Sequence, residues 1–546
     1  MKSIFLLEKP TLLLMLLITV LSMGACKKSR ITPEPVTPGP RNAGPNTKQT
    51  PTTDRTQLTN DSLFLYAKEV YYWNDALPSY DDFTPRNYGI NYDSELFAIT
   101  KYKINPATSQ AYEYRASDPN RPKYSYIEDL ANRNPVAVLA STEATVNLDG
   151  NGNDVGILAV SAVRNSSTSP DYKLFIKAVD KGSPADGLGL TRGAYLTKIN
   201  NVAIGTVANF NSEVNTINDA IYGNPASIKI EGFRTDGTPF SGTLTKSLYK
   251  SNPIFKTNVL TVGAKKIGYL AYARFSSKAN SEAVLDAAFK DFASQSVTDL
   301  VIDLRYNGGG YVDMAEYLVN LIAPSTATGV MYKEYYNSTM QNHQATILKN
   351  QPLLDDNDKI RYSNGRMLNS FDDLDFSLAR NTYSFSKKGT LANVTNIVFI
   401  VTGNTASASE LVINSLKPKM NVKLVGVQTY GKPIGFFPIR IQNKYDVYYS
   451  MFETKNALDQ GGYYGGMTPD VINDRDFANY DFGDPSEYLL ASAIDVLVPK
   501  TVTTSVVSRN RVMSVSTDGL GSKSSLGGLN QTKEFIGMIE ARRRNK

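Results

Sequence analysis

An α/β core built from βαβ units is the fold this sequence predicts, and three apolar runs predict it. Asp299-Leu-Val-Ile-Asp-Leu304, Asn396-Ile-Val-Phe-Ile-Val401 and Val422-Lys-Leu-Val-Gly-Val427 are short and β-rich, the pattern of buried strands. Two of them pass through a glycine-containing turn into helical patterns. After Gly310, Met314, Ala315, Leu318, Val319 and Ile322 fall on one helix face, and after Asn404 the stretch 409–416 reads as a helix. A chain of 546 residues has room for two or three domains with ample cores.

The second turn carries Ser407 in Thr405-Ala-Ser-Ala-Ser-Glu410. A serine on a strand-to-helix turn lies beside free backbone N–H groups and the positive end of the helix dipole. Its hydroxyl can attack a carbonyl while those amides receive the developing oxyanion. The reaction needs a base, and the only histidine, His343, falls in the polar stretch Tyr336-Asn-Ser-Thr-Met-Gln-Asn-His343, which reads as a surface insertion. A lysine serves instead when burial lowers its pKa. Lys432, in Thr429-Tyr-Gly-Lys432, lies between an apolar strand and Ile434, Phe436 and Phe437. The competing reading is an ordinary loop lysine.

The first strand runs into Arg305-Tyr-Asn-Gly-Gly-Gly310. Consecutive glycines let the backbone turn sharply and aim N–H groups outward, which suits an oxyanion hole. A phosphate loop would require Gly-x-x-x-x-Gly-Lys-Ser/Thr or Gly-x-Gly-x-x-Gly, and neither pattern is present.

Together the strand ending Asp303-Leu-Arg-x-Asn-x-Gly-Gly310, the Ala-Ser-Ala-Ser-Glu410 block, Gly-x-x-Thr-Tyr-Gly-Lys432 and Gly466-Met-Thr-Pro-Asp470 resemble the C-terminal processing (tail-specific) peptidases of the serine-lysine type. The likeness runs from about Asp154 to Leu497. It implies an α/β catalytic core with a mixed sheet over 251–498, preceded by a PDZ domain over 150–250 and an N-terminal helical segment over 58–135. It implies Ser407 as nucleophile and Lys432 as base, with an oxyanion hole from Gly309, Gly310 and the amide of Ala408. No cofactor is implied.

The PDZ resemblance rests on Lys177-Ala-Val-Asp-Lys-Gly-Ser-Pro-Ala-Asp186, Gly189-Leu-Thr-Arg-Gly193 and Leu196-Thr-Lys-Ile-Asn200. Such domains bind a C-terminal peptide by strand addition, with the carboxylate in a backbone nest. Val155, Gly156 and Ile157 are the candidates for that loop. Two positions depart from the family pattern: Pro418 stands where many members have aspartate, and Phe436 where others have glutamine. Glu410 is the nearest acidic group to support Lys432, although its spacing from Ser407 also suits a helix-capping carboxylate.

At the N-terminus, Lys2 and Lys9 flank the apolar core 11–21, and Gly24-Ala25 precede Cys26, the only cysteine. This resembles a bacterial lipoprotein signal peptide (1–25) with Cys26 as the lipidated residue. The expectation is a lipid-anchored protein of the bacterial cell envelope, periplasmic or associated with the outer membrane. Disulfides are excluded. Residues 26–57, rich in Pro, Thr and Asn, read as a solvated tether. Leu63-Phe-Leu-Tyr-Ala-Lys-Glu-Val-Tyr-Tyr-Trp73 reads as an amphipathic helix whose aromatics pack on a neighbouring domain. Residues 499–546 read as a mobile tail.

A net charge of +6 with interspersed signs gives no basic stripe for nucleic acid, and one histidine and one cysteine exclude a typical zinc site. The expected partners are proteins or peptides with flexible C-termini, and a membrane through the lipid. The alternative on the same fold is a non-catalytic, membrane-tethered PDZ protein that binds peptides.

Overall fold

The computed structural model describes residues 49–130, 138–139, 142–143, 146–353, 362–363, 366–367, 370–499, 524–529 and 535–540. The signal peptide, Cys26 and most of the tether lie outside the described residues.

The centre is a mixed sheet in the order Ile254–Val262, Lys265–Tyr272, Asp299–Asp303, Asn396–Val401, Asn421–Gly426, Val471–Ile472. The first pair is antiparallel and the remaining pairings are parallel. The strand sequences explain why both faces are covered. Leu300, Ile302, Ile397, Phe399 and Val401 enter one core, packed under the helices Lys278–Ser294, Val312–Ile322 and Ala408–Leu416. The alternate residues Val301, Val398 and Ile400 enter a second core with Leu489, Leu490 and Ala493 of the helix Tyr488–Leu497. Period-two alternation between two apolar layers is why these strands read as unbroken hydrophobic runs.

A second sheet runs Pro239–Thr245, Ser227–Phe233, Tyr195–Ile199, Tyr172–Val179, Ile157–Arg164, Ser524–Ser525. It encloses its own core with Ile217, Ala220 and Ile221 of the helix Phe210–Tyr222. Pro184 opens the short helix Pro184–Gly187, whose N-cap Ser183 accepts a hydrogen bond from Asp186 N.

At the N-terminal side the helix spans Arg55–Val70, so the last residues assigned to the tether are its first turn. The reason is Asp54, whose carboxylate accepts from Thr56 N at 2.7 Å and caps the helix. The helix also stops before Trp73. Tyr71 is extended, and Tyr72 N donates to Ser450 O at 2.7 Å, which draws the chain onto the core. Trp73 stacks on Tyr112 and contacts Tyr464. The strand Tyr126–Asp129 pairs with Tyr445–Tyr448, so this N-terminal segment is stitched into the core by hydrogen bonds.

The described parts of the C-terminal segment are paired. Ser524–Ser525 is an edge strand of the second sheet, and Gly537–Ile539 pairs in parallel with Gly309–Tyr311. Phe535 and Met538 are buried, and burial of such side chains holds a segment that a polar composition alone would leave solvated.

Candidate active site

Ser407 ends the turn after the central strand Asn396–Val401 and is the N-cap of the helix Ala408–Leu416. Its backbone is left-handed, with φ +62°, and its side chain is buried. A non-glycine residue in that region costs roughly 1–3 kcal/mol and persists only where the surroundings impose it. Here they do: Thr405 Oγ1 donates to Leu304 O at 2.7 Å, Ser409 Oγ donates to Asn307 O at 3.0 Å, and Ala406 N donates to Asn307 O at 3.2 Å. The serine turn is thus pinned to the strand end that leads into the glycines. Among the described residues, Ser407 Oγ has no hydrogen-bond partner.

Glu410 is buried and gathers the site. Its Oε2 accepts from Ser407 N and from Lys432 N, both at 2.8 Å. Its Oε1 accepts from Gly431 N at 2.8 Å and from the Thr429 hydroxyl. Burial raises its pKa, and these four donors oppose the rise. Glu410 therefore both caps the helix and joins the serine turn to the lysine loop, so the two roles are one arrangement.

Lys432 is buried, and desolvation brings its pKa down to about 7. Glu113 and Glu410 oppose the shift, while the charge of Lys123 adds to it. The ammonium lies 4.2 Å from the ring centroid of Phe436 and 5.8 Å from that of Tyr124. Phe436 thus shields the amine from water. Nζ donates to Ile536 O at 3.3 Å. The lysine loop is clamped from behind: Met467 N donates to Thr429 Oγ1 at 2.7 Å, and a Cβ on Gly431 (φ +83°) would stand 2.4 Å from Gly466 N. Only glycine fits that approach. Asp470 fixes the same segment by accepting from Leu424 N at 2.8 Å.

The glycine segment lies against the Ser407 turn. The position of a Cβ on Gly309 would be 3.1 Å from Ala408 N and 3.1 Å from Ser407 Cβ, so the Gly309 backbone lies against the nucleophile turn. Of the three oxyanion candidates, Gly309 and Ala408 are brought together, with one difference between them. Gly309 N donates to Asn307 Oδ1 at 2.9 Å, whereas Ala408 opens a helix, where amides lack intrahelical acceptors.

Arg305 anchors the start of this turn. It bonds Asp303 at 2.7 Å and Glu487 at 2.8 Å, and Asp476 at 3.1 Å. Arg192, from the second sheet's unit, reaches the same Asp476 at 2.6 Å. Burial alone would raise the Asp476 carboxyl; Lys177, Arg192 and Arg305 outweigh it and hold it well below the usual range.

His343 is exposed, on the surface beside Asp375 at 3.7 Å. Val155, Gly156 and Ile157 are buried, with Ile157 opening the strand Ile157–Arg164. The Gly156 amide donates to Asp154 Oδ1 at 2.8 Å, and Val155 O accepts from Ala185 N at 3.0 Å, so both groups are engaged within the chain. Sequence reading missed Lys123, Tyr124, Glu113 and the segment 535–540. Lys123 Nζ donates to Gly431 O at 3.1 Å and to Tyr464 O at 2.7 Å across some three hundred residues, a proximity no local pattern encodes. Among the described residues there is no cluster of metal-ligating side chains, and no helix is long and apolar enough to cross a membrane.

This geometry coincides with a family match. Residues 266–472 match the model of peptidase family S41. That segment is similar to the S41 peptidase domain. It contains Gly309, Gly310, Ser407 and Lys432. The chain is 24% identical over 302 residues to the carboxy-terminal-processing protease of Bartonella bacilliformis, covering 53% of this chain and 56% of that protein. It is 23% identical over 323 residues to the chloroplastic carboxyl-terminal-processing peptidase 1 of Arabidopsis thaliana, covering 59% and 56%. The chain thus spans little more than half the length of these relatives. A crystal structure from Bacteroides fragilis assigned as an S41 protease has the same fold, with a TM-score of 0.50 and 19% identity over 82% of this chain and 99% of that one.

Proposed function

We propose that this chain is a serine endopeptidase that cleaves exported proteins with a Ser407–Lys432 dyad. The observation that carries this reading is Lys432: its buried amine is brought down to about 7, and its backbone N–H shares one Glu410 oxygen with the turn that bears Ser407. Neutral Lys432 accepts the proton as Ser407 Oγ attacks the scissile carbonyl. The Ala408 amide and the Gly309–Gly310 backbone receive the oxyanion. Lys432 then protonates the leaving amine, and water, deprotonated by the same lysine, resolves the acyl-enzyme.

The unit at 150–250 serves in this reading as a PDZ module that presents extended C-termini by strand addition. The Cys26 lipid holds the enzyme in the bacterial envelope, and multiple acyl chains make such an anchor stable. Turnover of an unfolded protein substrate tests the chemistry: Ser407→Ala and Lys432→Ala should each abolish it, and wild-type rates in either would sink the assignment.

A second reading, a peptide-binding protein without catalysis, is favoured by one observation: Lys432 Nζ donates to Ile536 O, while among the described residues Ser407 Oγ has no partner. Labelling of Ser407 by a fluorophosphonate probe would eliminate it.

A further inference from the structure

The cleft beside Ser407 already holds a peptide, and that peptide is the chain's own C-terminal segment. Gly537–Ile539 lies in parallel register against Gly309–Tyr311, with Gly309 opposite Gly537 and Gly310 opposite Met538. Gly537 N donates to Gly308 O at 3.0 Å. On its other side the segment is held by Phe436, whose amide donates to Met538 O at 3.1 Å and whose carbonyl accepts from Glu540 N at 3.0 Å. It therefore fills the gap between the glycine strand and the lysine loop as an added strand, the way an extended substrate is bound.

The register places one carbonyl at the chemistry. The point where a Cβ on Gly309 would stand is 2.2 Å from Gly537 O and 3.1 Å from both Ala408 N and Ser407 Cβ. The preceding carbonyl, of Ile536, accepts from Lys432 Nζ. On the N-terminal side of Gly537 a cleft of about 440 Å³ is lined by Lys123, Tyr124, Tyr126 and Tyr430 together with Phe535 and Ile536.

A second contact leads the tail to this place. Ser524–Ser525 adds antiparallel to the edge strand Ile157–Arg164, and Leu526 N donates to Ala162 O at 2.9 Å. Leu526 and Leu529 pack on the core beneath, and Gly528 O accepts from Asn218 of the helix Phe210–Tyr222 at 3.3 Å. One tail thus occupies two strand-addition edges, one on each sheet-bearing unit.

We propose that the C-terminal segment is an intramolecular substrate of this site, cut between Gly537 and Met538. The inference rests on the peptidase reading above. Ser407 Oγ bonds to the Gly537 carbonyl carbon and its proton passes to Lys432. The C–N bond to Met538 breaks as Lys432 returns that proton to the leaving amine, and Met538–Lys546 departs. One water then hydrolyses the Ser407 ester, leaving Gly537 as a free carboxylate. No co-reactant other than water is required. Until the cut is made, an incoming chain must displace the tail to reach Gly309–Tyr311.

The test is intact mass over time for the full chain, wild type and Ser407→Ala, beside turnover of an unfolded protein substrate by the same samples. Wild type should lose Met538–Lys546 at a rate independent of protein concentration. Ser407→Ala should keep its full mass, even when mixed with wild type. If wild type degrades the external protein while its own mass stays intact, or is cut at a bond other than Gly537–Met538, the proposal is overturned and the peptidase reading stands. Absence of both cleavages overturns both. A tail that stays whole, but whose removal from Pro499 onward raises external turnover, makes the segment a plug and overturns its cleavage.

Discussion

The backbone amides of Ser407 and Lys432 donate to the same oxygen, Glu410 Oε2, each at 2.8 Å. A strand-to-helix turn and a loop two elements later are thereby set against one acceptor. The relation gives Glu410 a positioning role. In Glu410→Gln, one oxygen becomes a donor that faces N–H groups, so kcat/KM should fall by about 10- to 100-fold and stability by about 1–3 kcal/mol. Glu410 also raises the Lys432 pKa, so its loss should move the rising limb of the pH–rate profile downward. A drop in rate with an unmoved limb would assign Glu410 to structure alone.

The pH profile follows from Lys432. Only the neutral amine accepts a proton, so kcat/KM should rise with pH through about 7 and level above it. A value near 7 lies close to a histidine's range, and the identity of the base is decided by substitution. His343→Ala should leave the profile in place, since that side chain is exposed and beside Asp375. Loss of activity in that variant would contradict the lysine base.

Phe436 supplies the shielding. Its ring is 4.2 Å from Lys432 Nζ, and desolvation is the largest cause of the lowered pKa. Phe436→Ala admits water, favours the charged amine and should shift the limb upward by on the order of one pH unit. Phe436→Leu, which keeps an apolar cover, should shift it less. Equal profiles in all three proteins would remove the ring from the account.

The strands were legible because both sheet faces are buried. Runs such as Asn396–Val401 carry no polar residue after the first, and the structure's strand has those bounds. The strand-to-helix turn at Ser407 and the buried setting of Lys432 were legible because turn chemistry and an apolar context mark them locally. Lys123, Tyr124 and Glu113 were not, since they reach Lys432 from a distant segment through packing alone. In the C-terminal segment a Ser- and Gly-rich composition reads as solvated, and the burial of Phe535 and Met538 is not marked by any local pattern. The helix Arg55–Val70 was misplaced at both ends because Asp54 and Tyr72 act through a cap and a long-range hydrogen bond.

The buried cations make a prediction about stability. Arg305 holds Asp303, Asp476 and Glu487, with Arg192 on the last two as well. Arg305→Met leaves these carboxylates short of a partner and should cost about 3–5 kcal/mol. It should also lower activity, since Thr402 Oγ1 donates to Arg305 O and Arg305 begins the glycine turn. A melting temperature within a degree of wild type would refute it.

Lys432 itself should have the opposite effect on stability. The unfolded chain holds this lysine near its ordinary 10.5, whereas the folded chain holds it at about 7. Between those values the unfolded state binds more protons, so stability rises with pH across that window. Below about 7 the folded protein carries a charged amine in a desolvated place, and that penalty is largest there. Lys432→Met is similar in length, has no charge and keeps the contact with Phe436. It should abolish turnover, yet unfold at higher denaturant than wild type at pH 6, by on the order of 1–3 kcal/mol. The gain should shrink as the pH is raised toward 10. A variant that is inactive and less stable than wild type at every pH would mean that Lys432 is a structural residue, with no strain held for catalysis.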